Sequence, residues 1–185
     1  MRKTLIAVVV LISPLLAQTT KQDTGATNPL PADVVYQAFF GHVVALENAA
    51  AEHDKNGRKG SEVRAYYQQA VKLTNREATD LKRIADACGG AVHALDVRAQ
   101  KIIEAAWASH PDRKLPIGAK APAPPPELAK LDLERIDTVN AHMQKLRDAL
   151  GPDSFRKLDG YVQNNFARQI QVVPVVPPGA RTPRP

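Results

Sequence analysis

Cysteine is nearly absent from this 185-residue chain. Its one copy, Cys88, excludes an intramolecular disulfide and paired-cysteine haem attachment. Aromatic residues are also scarce, at 5%. A sheet wants more Val, Ile, Thr and aromatic side chains than this alanine-rich mix supplies, so the composition favours close-packed helices. Serine is confined to Ser13, Ser61, Ser109 and Ser154, and none sits in a glycine-flanked elbow that could present a nucleophile. No glycine-rich loop is laid out to cradle a phosphate. His42, His53, His93, His110 and His142 never fall three or four residues apart, and none follows a glutamate by three. Local metal motifs are therefore missing, although His42 and His142 could converge from different helices. No stretch concentrates lysine and arginine enough for a nucleic-acid surface. The sequence thus offers no catalytic, cofactor-binding or metal-ligating residue, and no enzyme activity is expected.

What is present begins with an address. Arg2 and Lys3 precede an apolar run from Leu5 to Leu16, and Ala17 is a small residue suited to a cleavage point. This is the layout of a secretory signal peptide, and the run of about twelve residues falls short of the ~20 that span a bilayer. Gln18 follows the cut where a lipoprotein would need cysteine. Export to the periplasm or the extracellular space is expected. Loss of Arg2 and Lys3 takes the formal net charge from +6 to +4.

After the signal (1–17) and a flexible leader (18–30), residues 31–172 read as one helical domain. A first helix is expected from near Pro31 to Asp54, with Val35, Phe39, Val43, Leu46 and Ala50 on its apolar face. Asp54, Asn56 and Gly57 mimic a calcium loop, but Val63 occupies the position that needs a bidentate glutamate, so a helix-helix turn is expected. A short helix capped by Ser61 carries Val63, Tyr66, Tyr67 and Ala70. Leu73-Thr74-Asn75-Arg76-Glu77 is a capping box, with Leu73 and Ala78 as the hydrophobic staple.

The next helix meets Gly89-Gly90, which would ordinarily punctuate. The apolar register does not reset there: Leu81, Ala85, Cys88, Val92, Leu95, Ala99, Ile102 and Ala106 keep one alternating spacing. One helix from about Asn75 to Ser109 is predicted. Cys88 lies on its stripe as a buried thiol, and a disulfide-linked dimer would need that stripe exposed. The two glycines fall off the stripe, where they would admit a neighbouring backbone or allow bending.

A proline-rich crossover linker (110–126) follows. A fourth helix places Leu133, Ile136, Val139, Met143, Leu146 and Leu150 on one face, and Gly151-Pro152 ends it. Its acids Glu127, Asp132, Glu134 and Asp137 interleave with Lys130 and Arg135, which reads as dipole and local ion pairing. A last helix, capped by Asp153 or Ser154, bears Phe155, Leu158, Val162, Phe166 and Ile170. Residues 173–185 form a proline-rich tail. The predicted fold is all-α: an elongated bundle of about five helices, one of them long.

Leu73-Thr74-Asn75-Arg76-Glu77 resembles the leucine-threonine-x-x-glutamine motif of small exported helical proteins of the Spy and CpxP type, with glutamate last. Leu150-Gly151-Pro152-Asp153-Ser154, continuing to Lys157-Leu158-Asp159, looks like a degraded copy. The resemblance implies an extracytoplasmic chaperone or stress-signalling protein that binds protein partners on a concave helical surface, often as a homodimer. The reading that follows is a non-enzymatic interaction protein. Its alternatives are a small-molecule or metal-binding bundle using the histidines with Tyr66 or Tyr67, and an envelope anchoring protein whose tail docks a partner.

Overall fold

The chain enters its first helix behind a proline whose fixed φ suits the start of a helix. In a computed structural model, which describes residues 30–108 and 123–170, Pro31 caps α1 (Ala32–Lys55), and α2 (Ser61–Arg64), α3 (Tyr66–Val71), α4 (Asn75–Ala106) and α5 (Pro126–Tyr161) follow. A π-helical turn (Val162–Phe166) and a 3-10 turn (Ala167–Gln169) close the described chain. No strand occurs among the described residues. The expected signal peptide, most of the leader and of the proline-rich linker, and the tail lie outside them.

The turn after α1 is built around Asp54. Its carboxylate accepts the Gly60 N–H at 2.8 Å and pairs with Arg64 at 2.7 Å, which holds it below the usual carboxylate range. Gly57 supplies a left-handed residue, φ 72°. Gly60 itself is pressed so closely on α1 that a Cβ there would lie 2.2 Å from the Ala50 carbonyl oxygen. This contact puts the cap at Gly60, and Ser61 is the first helical residue with no capping bond, contrary to its expected role. The single short helix expected here is two, separated at Ala65 (ψ −1°). Tyr67 and Val71 face the core, while Tyr66 and Ala70 are exposed. Lys72 then turns left-handed, φ 58°, and delivers buried Leu73 to the next cap.

At that cap the sequence motif forms as expected. Glu77 N–H donates to Thr74 Oγ1 at 3.3 Å, and Thr74 N–H donates to Glu77 Oε2 at 2.7 Å. From it α4 runs 32 residues without interruption through Gly89 and Gly90, about 48 Å at 1.5 Å per residue. It ends at Ala106, a little before the expected Ser109. Leu81, Ala85, Cys88, Val92 and Leu95 are buried on the predicted stripe, joined by Ile84. Among the described residues no backbone approaches the glycines: the one neighbour of a Cβ at Gly89 is Val44 Cγ2 at 3.9 Å, and a Cβ at Gly90 meets nothing within 4 Å.

α5 returns antiparallel to α4. Asp96 pairs with Arg135 at 2.6 Å, Arg98 pairs with Glu134 at 2.5 Å, and Ser154 hydrogen-bonds Glu77. The chain therefore leaves α4 and enters α5 at adjacent ends of the two helices. Pro126, read as linker, is the first residue of α5, where its missing donor costs nothing. Gly151 (φ 71°, ψ 169°) breaks the helical path, and Pro152 resumes it at once in a new direction. The buried face of α5 is Leu131, Val139, His142, Leu146 and Leu150, then Phe155 and Leu158. This corrects the expected face: Leu133 is 64% exposed and Ile136 38%, and Met143 is half-buried. Arg135 and His142 occupy positions on the seam that pattern reading would give to apolar residues. Glu134 and Arg135 pair with α4, not with their own helix as expected.

Candidate functional site

The few aromatic residues are gathered in one place. α1 contributes Tyr36, Phe39 and Phe40, α3 contributes Tyr66 and Tyr67, and α5 with the π-helical turn after it contributes Phe155, Tyr161 and Phe166. These are all four phenylalanines and all four tyrosines of the protein, joined ring to ring at centroid distances of 4.9 to 6.4 Å. Edge and tilted contacts of this kind add about 0.5–1.5 kcal/mol per pair beyond burial. Phe39 is the hub, touching Tyr36, Phe40, Tyr67 and Phe166. The cluster is the wide end of a core that continues along α4 to Val92.

Polar groups rim this cluster on two sides. On one, His42 lies between Tyr67 and Phe166, with ring centroids 5.7 and 5.6 Å away, and its Nδ1 is bonded to the Tyr67 hydroxyl. Burial pushes His42 below its ordinary value and Tyr67 well above its own. The Tyr66 and Tyr161 hydroxyls meet at 3.3 Å, and burial, followed by that bond, pushes Tyr161 up to about 12. On the other side, the buried Tyr36 hydroxyl donates to Asp159 Oδ1 at 2.9 Å. There the Gly151 elbow opens a shallow groove of about 480 Å³ lined by Arg147, Asp148, Gly151, Pro152, Phe155, Arg156 and Asp159. Arg147 stacks over Phe155 at 4.8 Å, and Asp148 accepts from Gln144 at 2.8 Å.

The opposite end of the molecule has a different character. Beyond Val92, α4 and the first half of α5 form a two-helix hairpin whose seam holds buried Leu95 and Leu131, outside the connected core. Val97, Ile103, Leu133 and Ile136 are exposed there, at 38 to 64%. At 100° per residue, Val97 and Leu133 each stand about 200° from Leu95 and Leu131, on the two outward faces. Ile103 and Ile136 fall on the flank that carries the Asp96–Arg135 pair.

The residues singled out in the sequence are dispersed. His42 and His142 share no partner: Nδ1 of His142 bonds the Thr138 carbonyl at 2.7 Å, within its own helix. His53 lies in the last turn of α1, His93 is exposed, and His110 is outside the described residues. Cys88 is 1% exposed, and burial raises its thiol to about 11. Among the described residues no group of three or more His, Cys, Asp or Glu side chains is placed to hold a metal ion. No helix among them is long and apolar enough to cross a membrane. Sequence reading missed the joining of His42 to Tyr67 and the role of Tyr36 and Phe40, which lie one residue off the stripe it followed. The two segments that resemble a repeated motif meet through the Glu77–Ser154 bond, with Leu73 and Leu150 both buried. No protein-family model, curated protein or solved structure matches the chain.

Proposed function

We propose that this chain is an exported, non-enzymatic interaction protein with chaperone-like activity, binding apolar segments of protein partners along its α4–α5 hairpin. The observation that carries the reading is the group Val97, Ile103, Leu133 and Ile136, each more than a third exposed on a two-helix projection. A lone exposed leucine needs no explanation, but four large aliphatic side chains on one narrow hairpin offer contacts on several faces. The seam is pinned by Leu95, Leu131 and two ion pairs, so the outward residues are not needed to hold the helices together. The signal-like amino terminus supports an extracytoplasmic site of action, and the motif resemblance supports a helical chaperone or envelope stress role. The test is light scattering of an aggregating client with and without the mature chain. Suppression that weakens in a Val97→Ser/Leu133→Ser variant supports the proposal, and no suppression by the wild type at molar excess sinks it.

A second reading, a small-molecule-binding bundle, is favoured by the polar rim of His42, Tyr67, Tyr161 and Tyr66. Thermal shift against metals and small aromatic or anionic ligands separates the two, because a stabilisation of several degrees by one ligand favours the second.

A further inference from the structure

We infer that Tyr66 and Tyr161 form an oxidative cross-linking site, where a one-electron oxidant couples the two phenols carbon to carbon and staples α3 to the end of α5. The site stands on its own geometry, and client binding by the hairpin plays no part in it.

The four tyrosines fall into two kinds. Tyr36 has no exposure and its hydroxyl donates to Asp159, while Tyr67 is 4% exposed and its hydroxyl is bonded to His42. Both are sealed from an oxidant in solution and from another phenol. Tyr66 is 46% exposed and Tyr161 half-buried, and their hydroxyls meet at 3.3 Å although the residues lie 95 apart in the chain. Among the described residues no other two tyrosine hydroxyls meet. Tyr66 opens α3 and Tyr161 is the last residue of α5, so two element ends are brought together here. Both rings lean on Tyr67, with centroids 5.0 and 6.0 Å from it, and this buried ring holds them in register. The competing thiol, Cys88, is 1% exposed.

The chemistry follows from that contact. Loss of one electron and the hydroxyl proton turns Tyr66, the more accessible phenol, into a phenoxyl radical. A hydrogen atom passing across the hydroxyl contact moves the radical to Tyr161 and restores Tyr66, which a second oxidation makes a radical again. Each phenoxyl carries spin on the carbons that flank its oxygen, and those carbons lie beside the meeting point of the hydroxyls. One such carbon of each ring joins the other in a new bond. The hydrogen on each joined carbon is then replaced by one on its oxygen, which restores both phenols. In all, two electrons and two protons leave the pair; hydrogen peroxide, acting through a peroxidase, takes them up and becomes two waters. Because the rings are already held together, coupling within one chain outpaces encounter between chains. The link closes a long loop, and a tie of that kind removes freedom from the unfolded chain. A protein with a single cysteine thereby gains a staple that no thiol can reduce.

The test treats the dilute mature chain with a haem peroxidase and hydrogen peroxide. Monomer should gain dityrosine fluorescence and lose the mass of two hydrogens, with a yield independent of protein concentration. Trypsin leaves Tyr66 on peptide 65–72 and Tyr161 on peptide 158–168, and these should be recovered joined, with fragmentation placing the bond on Tyr66 and not Tyr67. Tyr66→Phe and Tyr161→Phe should each lose about tenfold or more of the monomer fluorescence, because coupling then depends on chance encounter. Tyr67→Phe, which keeps the supporting ring, should retain it. The cross-linked protein should melt at a higher temperature, and thiol reductant should not reverse the shift. In urea the preference for this pair should vanish. The inference is overturned if the wild type gives no dityrosine, if it gives only dimers whose yield grows with concentration, or if the bond maps to other tyrosines. It is equally overturned if either Phe variant keeps the monomer product, or if urea leaves the preference intact.

Discussion

Replacing both glycines in the middle of α4 should stabilise the protein. Gly89 and Gly90 are exposed, lie within an unbroken helix, and have no special backbone conformation. A Cβ at Gly90 meets nothing within 4 Å, and one at Gly89 would lie 3.9 Å from Val44 Cγ2, an ordinary van der Waals distance. Each Gly→Ala change in a helix interior is worth about 1 kcal/mol, partly through the unfolded chain, so the pair should contribute ~2 kcal/mol. For a domain of this size that corresponds to a rise in Tm of ~4–8 °C. Thermal melts followed by far-UV circular dichroism measure it, and urea titration should show a higher midpoint at unchanged slope. Gly60→Ala is the internal control. There a Cβ falls 2.2 Å from the Ala50 carbonyl oxygen and 2.8 Å from its carbon, both backbone atoms that cannot rotate aside. Forcing α1 and the turn apart should cost about 1–3 kcal/mol and lower Tm. If Gly89→Ala/Gly90→Ala leaves Tm unchanged or lowers it, the glycines serve bending or close approach, and the continuous unstrained α4 described above is wrong.

Two further outcomes test the packing. Leu146→Ala, at a site with no exposure, should cost about 2–5 kcal/mol, whereas Leu133→Ala, 64% exposed, should change stability by less than about 0.5 kcal/mol; urea denaturation of the two variants decides the α5 register. Cys88, buried with its thiol raised to about 11, should resist a thiol-specific reagent near pH 8 in the folded protein and react once unfolded. Rapid labelling of the native chain would contradict its place on the α4 stripe.

Much of the helix layout was legible in the sequence, for identifiable reasons. α4 could be followed across Gly89-Gly90 because the apolar register on either side shares one phase, and phase is a property of the whole helix. Its start could be placed because Thr74 and Glu77 satisfy each other locally. The α5 face was read wrongly because this helix carries apolar residues in two competing phases. Leu133 and Ile136 fit one, Leu131 fits the other, and the choice falls to Asp96 and Arg98 on α4, which recruit Arg135 and Glu134 to the seam edges. Ser61 looked like a cap, but the close contact of Gly60 with Ala50 closes the turn one residue earlier. The aromatic cluster was invisible for a related reason: its members come from three stretches far apart in the chain, and nothing local marks Tyr36, Tyr67 or Phe166 as neighbours.

The gathering of every phenylalanine and tyrosine at one end has an optical consequence. Trp107, the single tryptophan, caps α4 about 22 Å along the helix axis beyond Val92, where the connected core stops. Tyrosine emission thus reports on the core and tryptophan emission on the far tip of the hairpin, two native dyes at opposite poles of one molecule. Unfolding followed at both wavelengths will show whether the projection melts with the body or ahead of it, with no label introduced.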